Sequence, residues 1–160
     1  MNHFELYGFP VSFSVNSVRL EERYQALRSE RPDDHQVENG YRLLGDPDAL
    51  VKYVLHLKGL LPKDEVYEPD PQFTLEVSDI NEELAELEMD EKREQLMNVE
   101  QKTDRLLLKI MEDVAPVLDN YSEDTATEEA LLQVKEYWYQ KKYIQGILDR
   151  IRGVRNIASP

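Results

Sequence analysis

Catalysis needs a nucleophile, a metal site or ionisable groups held within reach of one substrate, and this chain offers little of each. It has no cysteine, so a thiol nucleophile, a thiolate metal site and a disulfide are all ruled out. Its three histidines, His3, His35 and His56, are scattered. None stands in a Glu-x-x-His or His-x-x-x-His spacing, which would place two ligands on one helix face. Carboxylate pairs such as Glu82-Glu83 are plentiful, and a carboxylate hydrolase or a helical di-metal protein would draw on them. Adjacent residues of a helix, however, point about 100° apart, so such a pair cannot share a substrate. No Gly-rich phosphate loop and no nucleophile motif is present. What remains suits binding: a Tyr137-Trp138-Tyr139 cluster holding the only tryptophan, an Arg31-Pro32-Asp33 turn and a strongly acidic middle. The expectation is an adaptor without cofactor or metal, not an enzyme.

Charge separates the chain into three parts. Residues 1–63 carry 9 acids and 8 bases, residues 64–129 carry 22 acids and 5 bases, and residues 130–160 carry 2 acids and 6 bases, for a net charge of −14. So acidic a chain repels nucleic acid and anionic membrane, both of which are bound through basic patches, and neither is an expected partner. The acidic block is either a solvated helix face or a docking surface for a basic partner. It is also suited to pair with the basic last helix within one bundle.

The 160 residues suffice for one ordinary domain or two small ones. A hydrophobic share of 41% with a mean hydropathy of −0.63 fits helices with narrow apolar stripes. No apolar run approaches the roughly 20 residues of a membrane span. Met1-Asn2-His3-Phe4 lacks the basic start and apolar core of a secretion signal, so a cytoplasmic location, bacterial in the first instance, is expected.

The elements that must position the binding residues follow from periodicity and punctuation. A short helix over about 2–8 stops at Gly8-Phe9-Pro10. A second opens near Asn16-Ser17, with Val18, Leu20, Tyr24 and Leu27 at helical spacing. Pro32 bars a helix interior and makes Arg31-Pro32-Asp33-Asp34 a turn. A third helix runs from about Asp34 to Leu44 on Val37, Tyr41 and Leu44, and Gly45 ends it. Asp46-Pro47 starts a fourth over about 47–58, with Leu50, Val51, Val54, Leu55 and Leu57 as its buried side. Residues 59–71, with Pro62, Pro69 and Pro71 among acids, read as a linker. Three long helices follow. The first, about 72–90, carries Phe73, Leu75, Val77, Ile80, Leu84 and Leu87. The second, about 91–120, carries Leu96, Val99, Leu106, Ile110 and Val114, with Pro116 expected to kink or end it. The third, about 126–154, carries Leu131, Val134, Trp138, Ile144, Leu148 and Ile151, and 154–160 is expected to fray.

These residues resemble a family. The order Phe4-Glu5-Leu6-Tyr7-Gly8-Phe9-Pro10, then Arg23-Tyr24-Gln25-Ala26-Leu27, Asn39-Gly40-Tyr41-Arg42-Leu43-Leu44, Asp46-Pro47 and Tyr53-Val54-Leu55-His56-Leu57-Lys58-Gly59 is similar to the HscB family, J-type co-chaperones of iron–sulfur cluster assembly. Asp70-Pro71-Gln72-Phe73 running on to Asp79-Ile80-Asn81-Glu82-Glu83-Leu84 resembles the start of that family's C-terminal domain, and Tyr137-Trp138-Tyr139 resembles its last helix. The resemblance implies an all-α, L-shaped molecule, with a small J-domain-like helical hairpin and a three-helix bundle. Residues 1–60 would be J-domain-like, 61–71 the linker and 72–160 the scaffold-binding domain. It further implies two partners: a DnaK/HscA-type chaperone ATPase, whose hydrolysis is stimulated, and an IscU-type scaffold, which is delivered to that ATPase. The chaperone-facing residues would be Arg19, Arg23, Arg31, Pro32 and Asp33. The scaffold-facing residues would be Thr74, Leu75, Ser78, Asp79 and Glu82, with Tyr139 of the last helix. Thr74 and Ser78 stand where the family usually carries apolar residues. Leu75, Ser78, Asp79 and Glu82 lie three or four apart and share a helix face. Leu75 and Tyr139 are either anchors of that surface or bundle core.

One departure concerns the family's central motif. Where a His-Pro-Asp turn belongs, this chain has Arg31-Pro32-Asp33, about one residue early, and the stretch on to Asn39 is roughly a dozen residues short. Either the turn is truly shortened or residues between Glu30 and Arg31 are absent from this sequence, and the sparing of both flanking helices leans toward the second. A trimmed hairpin is geometrically sound, since about 13 residues of helix span about 20 Å. It would hold a client without stimulating ATP hydrolysis. Arg19, Arg23 and Arg28 are interleaved with Glu21, Glu22 and Glu30, so steering to an acidic partner site would be modest.

Overall fold

The computed structural model describes residues 1–90 and 93–158, and every regular element among them is an α-helix. The order is α1 (His3–Tyr7), α2 (Ser17–Glu30), α3 (His35–Gly45), α4 (Pro47–Leu57), α5 (Pro71–Asp90), α6 (Arg93–Asn120) and α7 (Glu128–Ala158). Two compact units emerge: Met1–Glu65 with Ala115–Lys135, and Val66–Val114 with the residues from Glu136 on. The division differs from the sequence expectation of boundaries at 60 and 71. Residues 115–135 belong to the first unit because Phe13 meets the Tyr121 ring edge-on, Lys58 pairs with Glu123, and Lys135 pairs with Glu65 at 2.7 Å. The stretch read as a linker is shared, with Leu61–Glu65 in one unit and Val66–Asp70 in the other.

In the first unit, local chemistry starts and stops each helix. Asn2 and Glu5 form a capping box on α1, and Gly8, at φ 72°, closes it in the left-handed region. Asn16 caps α2 through Val18 and Arg19 N–H, and Asp46 caps α4 with Pro47 in its first turn. The α2–α3 connection is continuous and tight. Arg31 N–H donates to the Leu27 carbonyl at 2.8 Å, and Asp34 N–H donates to the Arg31 carbonyl at 3.2 Å. Asp34 then accepts from Gln36 N–H at 2.9 Å and starts α3.

The helices on either side of that bend are held by α1. Phe4 and Tyr7 are buried whole, Tyr7 being 0% exposed, and the Tyr7 hydroxyl donates to the Val37 carbonyl at 2.5 Å. Gly40 permits this approach, because a Cβ there would lie 2.7 Å from the Tyr7 ring. On the hairpin's other side, Tyr24 and Tyr41 stack at 4.0 Å between centroids, and their hydroxyls donate to Glu38 and Glu21. Leu20, Leu27, Val37, Leu44 and the Leu50, Val51, Val54, Leu55 stripe of α4 complete the core. Val18 and Leu57, predicted to be buried, are 64% and 40% exposed. Each sits two residues from a buried leucine, which turns it about 200° around the helix.

In the second unit the buried stripes are Phe73, Val77, Ile80, Leu84 and Leu87 on α5, and Leu96, Val99, Leu106, Ile110 and Val114 on α6. On α7 the stripe is Tyr137, Ile144, Ile147 and Ile151, so Tyr137 and not Trp138 is the core aromatic of the Tyr-Trp-Tyr cluster. Thr103 is buried with its hydroxyl donating to the Val99 carbonyl at 2.8 Å. The acidic and basic segments do pair: Arg150 reaches Glu88 at 3.0 Å and Asn81 at 2.6 Å, and Arg155 reaches Glu100; within the acidic segment, Lys102 reaches Glu83 at 2.5 Å. Two expectations are corrected. Pro116 does not end α6, which runs on to Asn120, whose amide donates to the Pro116 carbonyl at 2.8 Å. Residues 154–158 are helical and continue α7, while 159–160 lie outside the described residues.

The Tyr7 contact makes Gly40→Ala destabilising by about 1–3 kcal/mol, since overpacking against a buried ring outweighs the helix-propensity gain of about 1 kcal/mol. Gly146→Ala, with nothing within 4 Å of the added Cβ, should instead stabilise the fold by about 0.5–1 kcal/mol. Thermal unfolding of the two variants tests both signs. Burial, with the nearby Tyr24, Glu38 and Tyr41, pushes the Tyr7 hydroxyl up from 10.0 to about 12. Stability from the neutral phenol is therefore full below pH 10 and lost as pH rises through about 12. Urea titrations across that window should show the loss, and Tyr7→Phe should reduce it.

Candidate functional site

The turn and the exposed face of α2 place the residues expected to face a chaperone. Arg19, Arg31, Pro32 and Asp33 are exposed. Arg31 is itself the cap of α2 and pairs with Asp34 at 3.8 Å. Arg23 is partly committed, as its Nε donates to the Tyr7 carbonyl at 2.9 Å and so ties α2 to the end of α1. Its hydrogen bond to Glu38 raises the Tyr24 hydroxyl above the ordinary tyrosine range, and the bond to Glu21 does the same for Tyr41. The hairpin is thus closed by neutral phenols bonded to carboxylates, while Arg19 and Arg28 remain the outward cations of α2.

The second candidate surface begins where α5 starts. The Asp70 carboxylate accepts from Gln72 N–H at 3.1 Å and Phe73 N–H at 3.3 Å, and Pro71 occupies the first turn. Capped there, α5 turns Phe73, Val77 and Ile80 inward and leaves Thr74, Leu75, Ser78, Asp79 and Glu82 outward. Leu75 is 57% exposed, which settles its position on the surface and not in the core. Thr74, Leu75 and Ser78 line an open groove of about 650 Å³. Its other walls are Val66–Pro69 and Tyr143. Asp79 lies further along α5 and lines a separate groove toward α6 with Lys102 and Arg105.

Tyr139 is not among the residues lining the first groove. Its ring stacks on Tyr67 at 4.3 Å with planes 13° apart, and Trp138 meets it edge-on at 5.0 Å. The aromatic that does line the groove is Tyr143, one helical turn later and 47% exposed. Tyr143 and Val66, the latter 90% exposed, are the residues that sequence reasoning missed. Two signals pointed to them: an apolar Val66-Tyr67 pair inside a run of prolines and acids, and a tyrosine at the i+4 position from Tyr139. Among the described residues no group of His, Cys, Asp or Glu is disposed to hold a metal, and no helix is long and apolar enough to cross a membrane.

Comparison with known proteins fits this architecture. No family model matches the chain. A co-chaperone protein HscB homolog of Vibrio vulnificus (strain YJ016) is 30% identical over 105 residues, covering 54% of this chain and 61% of that protein. The human iron-sulfur cluster co-chaperone protein HscB is 33% identical over 105 residues, covering 54% of this chain and 45% of that protein. Among solved structures, chaperone HscB from Vibrio cholerae superposes with a TM-score of 0.63 at 19% identity, over 99% of both chains. Human HscB superposes with a TM-score of 0.66 at 23% identity, over 95% of this chain and 81% of that one. In sequence over about half of its length, and in fold over nearly all of it, the chain is similar to HscB co-chaperones.

The matched region spans about 60% or less of the length of these curated HscB relatives. A match of 105 positions that takes in only 54% of 160 residues uses about 86 of them, so about 19 positions of the Vibrio HscB have no counterpart here. That shortfall agrees with the clipped connection between α2 and α3, where the chain passes from Glu30 to the Asp34 cap in three residues.

Proposed function

We propose that this chain is a client-holding co-chaperone of iron–sulfur cluster assembly, an adaptor and not an enzyme. In this reading it binds an IscU-type scaffold protein through the groove beside Leu75 and brings it to a DnaK/HscA-type chaperone ATPase. The carrying observation is Leu75 itself: a large aliphatic residue, 57% exposed, on a helix where Phe73, Val77, Ile80, Leu84 and Leu87 are buried, at the edge of a groove that Tyr143 also lines. Thr74 and Ser78 supply polar lining, and Glu68 is the charged residue of the groove wall. The net charge of −14 favours a basic partner over nucleic acid or an anionic membrane and suits a cytoplasmic setting.

Two readings of the N-terminal unit were open: stimulation of the ATPase, and holding without stimulation. The structure supports the second. The bend between α2 and α3 is four residues long, Arg31–Asp34, and holds no histidine. The Arg31 guanidinium leans toward Asp34 at 3.8 Å, and Arg23 Nε is engaged by the end of α1.

Leu75→Ala and Tyr143→Ala should each weaken scaffold binding by about 1–3 kcal/mol with helix content unchanged, measured by calorimetric titration. Unaltered affinity in both folded variants would remove the assignment. In steady-state assays this chain should leave the ATPase rate of a DnaK-type chaperone unaccelerated, and a several-fold stimulation would sink the non-stimulating reading.

A further inference from the structure

Residues 66–70 have no regular structure, yet they are held firmly against α7 within their own unit. A single carboxylate does most of this. Glu136 accepts from the Tyr67 hydroxyl and, at 2.6 Å, from Asp70 N–H. Gln140, one turn along α7, donates to the same carboxylate at 3.0 Å and keeps it upright. The Tyr67 ring lies flat on Tyr139, and Lys142 sits 4.2 Å over the neighbouring Trp138 ring. The whole Tyr-Trp-Tyr cluster is thereby accounted for. One aromatic enters the core, and the other two build a platform for the segment that precedes α5.

A segment acting only as a spacer needs no such anchoring, and nothing in spacing two units calls for an apolar side chain held out into solvent. Val66 does project outward, 90% exposed, into the groove that Leu75 and Tyr143 line. Hydrogen-bonding the segment at Tyr67 and at Asp70 fixes its path, so Val66 faces Leu75 without an ordering cost at binding. The groove lining contains Glu68 and no lysine or arginine, and Asp70 stands between the lining residues Pro69 and Pro71, so the rim is acidic.

We infer that Val66–Asp70 is a fixed wall of the docking groove, with Val66 a contact residue and Glu136 its positioning residue, and that the groove takes a partner segment bearing an apolar side chain flanked by lysine or arginine. This rests on the scaffold-docking reading above. The apolar anchor supplies affinity, and the acidic rim supplies orientation and on-rate, which salt weakens.

Calorimetric titration of the full chain with a purified IscU-type scaffold, at low and raised salt, tests the proposal. Val66→Ala and Glu136→Ala should each weaken binding by about five- to tenfold, while far-UV circular dichroism and the thermal midpoint stay near those of the parent. The double variant should be no weaker than Glu136→Ala alone, because a wall that has come loose no longer presents Val66. Glu136→Gln, which keeps one acceptor oxygen, should recover part of the loss. If Glu136→Ala fails to fold, Tyr67→Phe removes one of the two anchoring bonds, keeps the ring stack and stands in its place. Normal binding by Val66→Ala and Glu136→Ala, with Leu75→Ala impaired, overturns the wall and leaves scaffold docking intact. Strictly additive losses overturn the positioning role of Glu136. Affinity unchanged by salt overturns the basic-flanked partner. Normal binding by Leu75→Ala as well removes the docking reading and the wall together.

Discussion

A chain in which 32% of residues are charged and 41% are hydrophobic can afford each helix one apolar stripe and little more. Every helix here obeys that limit. The stripes of α2 to α7 bury leucine, valine, isoleucine and tyrosine at three- and four-residue spacing, and the faces between them are acid, base and amide. Solvent-facing apolar residues are scattered singly over most of the surface and need no special account. Where Val66, Leu75 and Tyr143 converge on one groove, the limit has been broken in a concentrated way, and that concentration carries the functional reading.

The same constraint shapes the small N-terminal unit. With about four turns before its bend and three after it, the α2–α3 hairpin has too little stripe to stand alone. It is stabilised from outside its own length, by Tyr7 and Phe4 of α1 buried against it and by the Tyr24–Tyr41 stack across it. The Tyr7 hydroxyl on the Val37 carbonyl, and the absent side chain of Gly40, let α1 approach closely enough to do this. A shortened turn is therefore compatible with a well-packed unit. On the outer surface, Arg23 is drawn into tethering the end of α1, and Arg19, Arg28 and Arg31 stay exposed.

In the second unit, ion pairs knit acidic α5 and α6 to basic α7, but at exposed positions such pairs contribute only about 0–1 kcal/mol each. Their larger effect is on which anions stay outward: with Glu83, Glu88 and Glu100 neutralised, Asp79 and Glu82 are left to colour the surface beside the groove. Glu136 differs in kind. It bonds a phenol and a backbone amide of the incoming segment, and so converts a flexible approach into one face of a site.

Much of this was legible in the residues. All seven helices, the capping roles of Asn16 and Asp46, the end of α1 at Gly8 and the pairing of acidic with basic segments follow from periodicity, from side chains that satisfy free N–H groups and from charge. These are local matters, decided within a turn or two. The surface position of Leu75 was not legible, because an aliphatic residue on a helix reads alike whether it faces core or solvent. The exchange of Tyr139 for Tyr143 at the groove was equally hidden, since the two share a helix face and only the arrival of Tyr67 from 72 positions earlier in the chain covers one and spares the other. The make-up of the compact units has the same origin: contacts of Lys58 with Glu123 and of Phe13 with Tyr121 join residues that no local pattern relates. Sequence alone determined the helices and which of their faces would be apolar. Only the tertiary structure decided which apolar residues stayed in water, because that depends on where distant segments land.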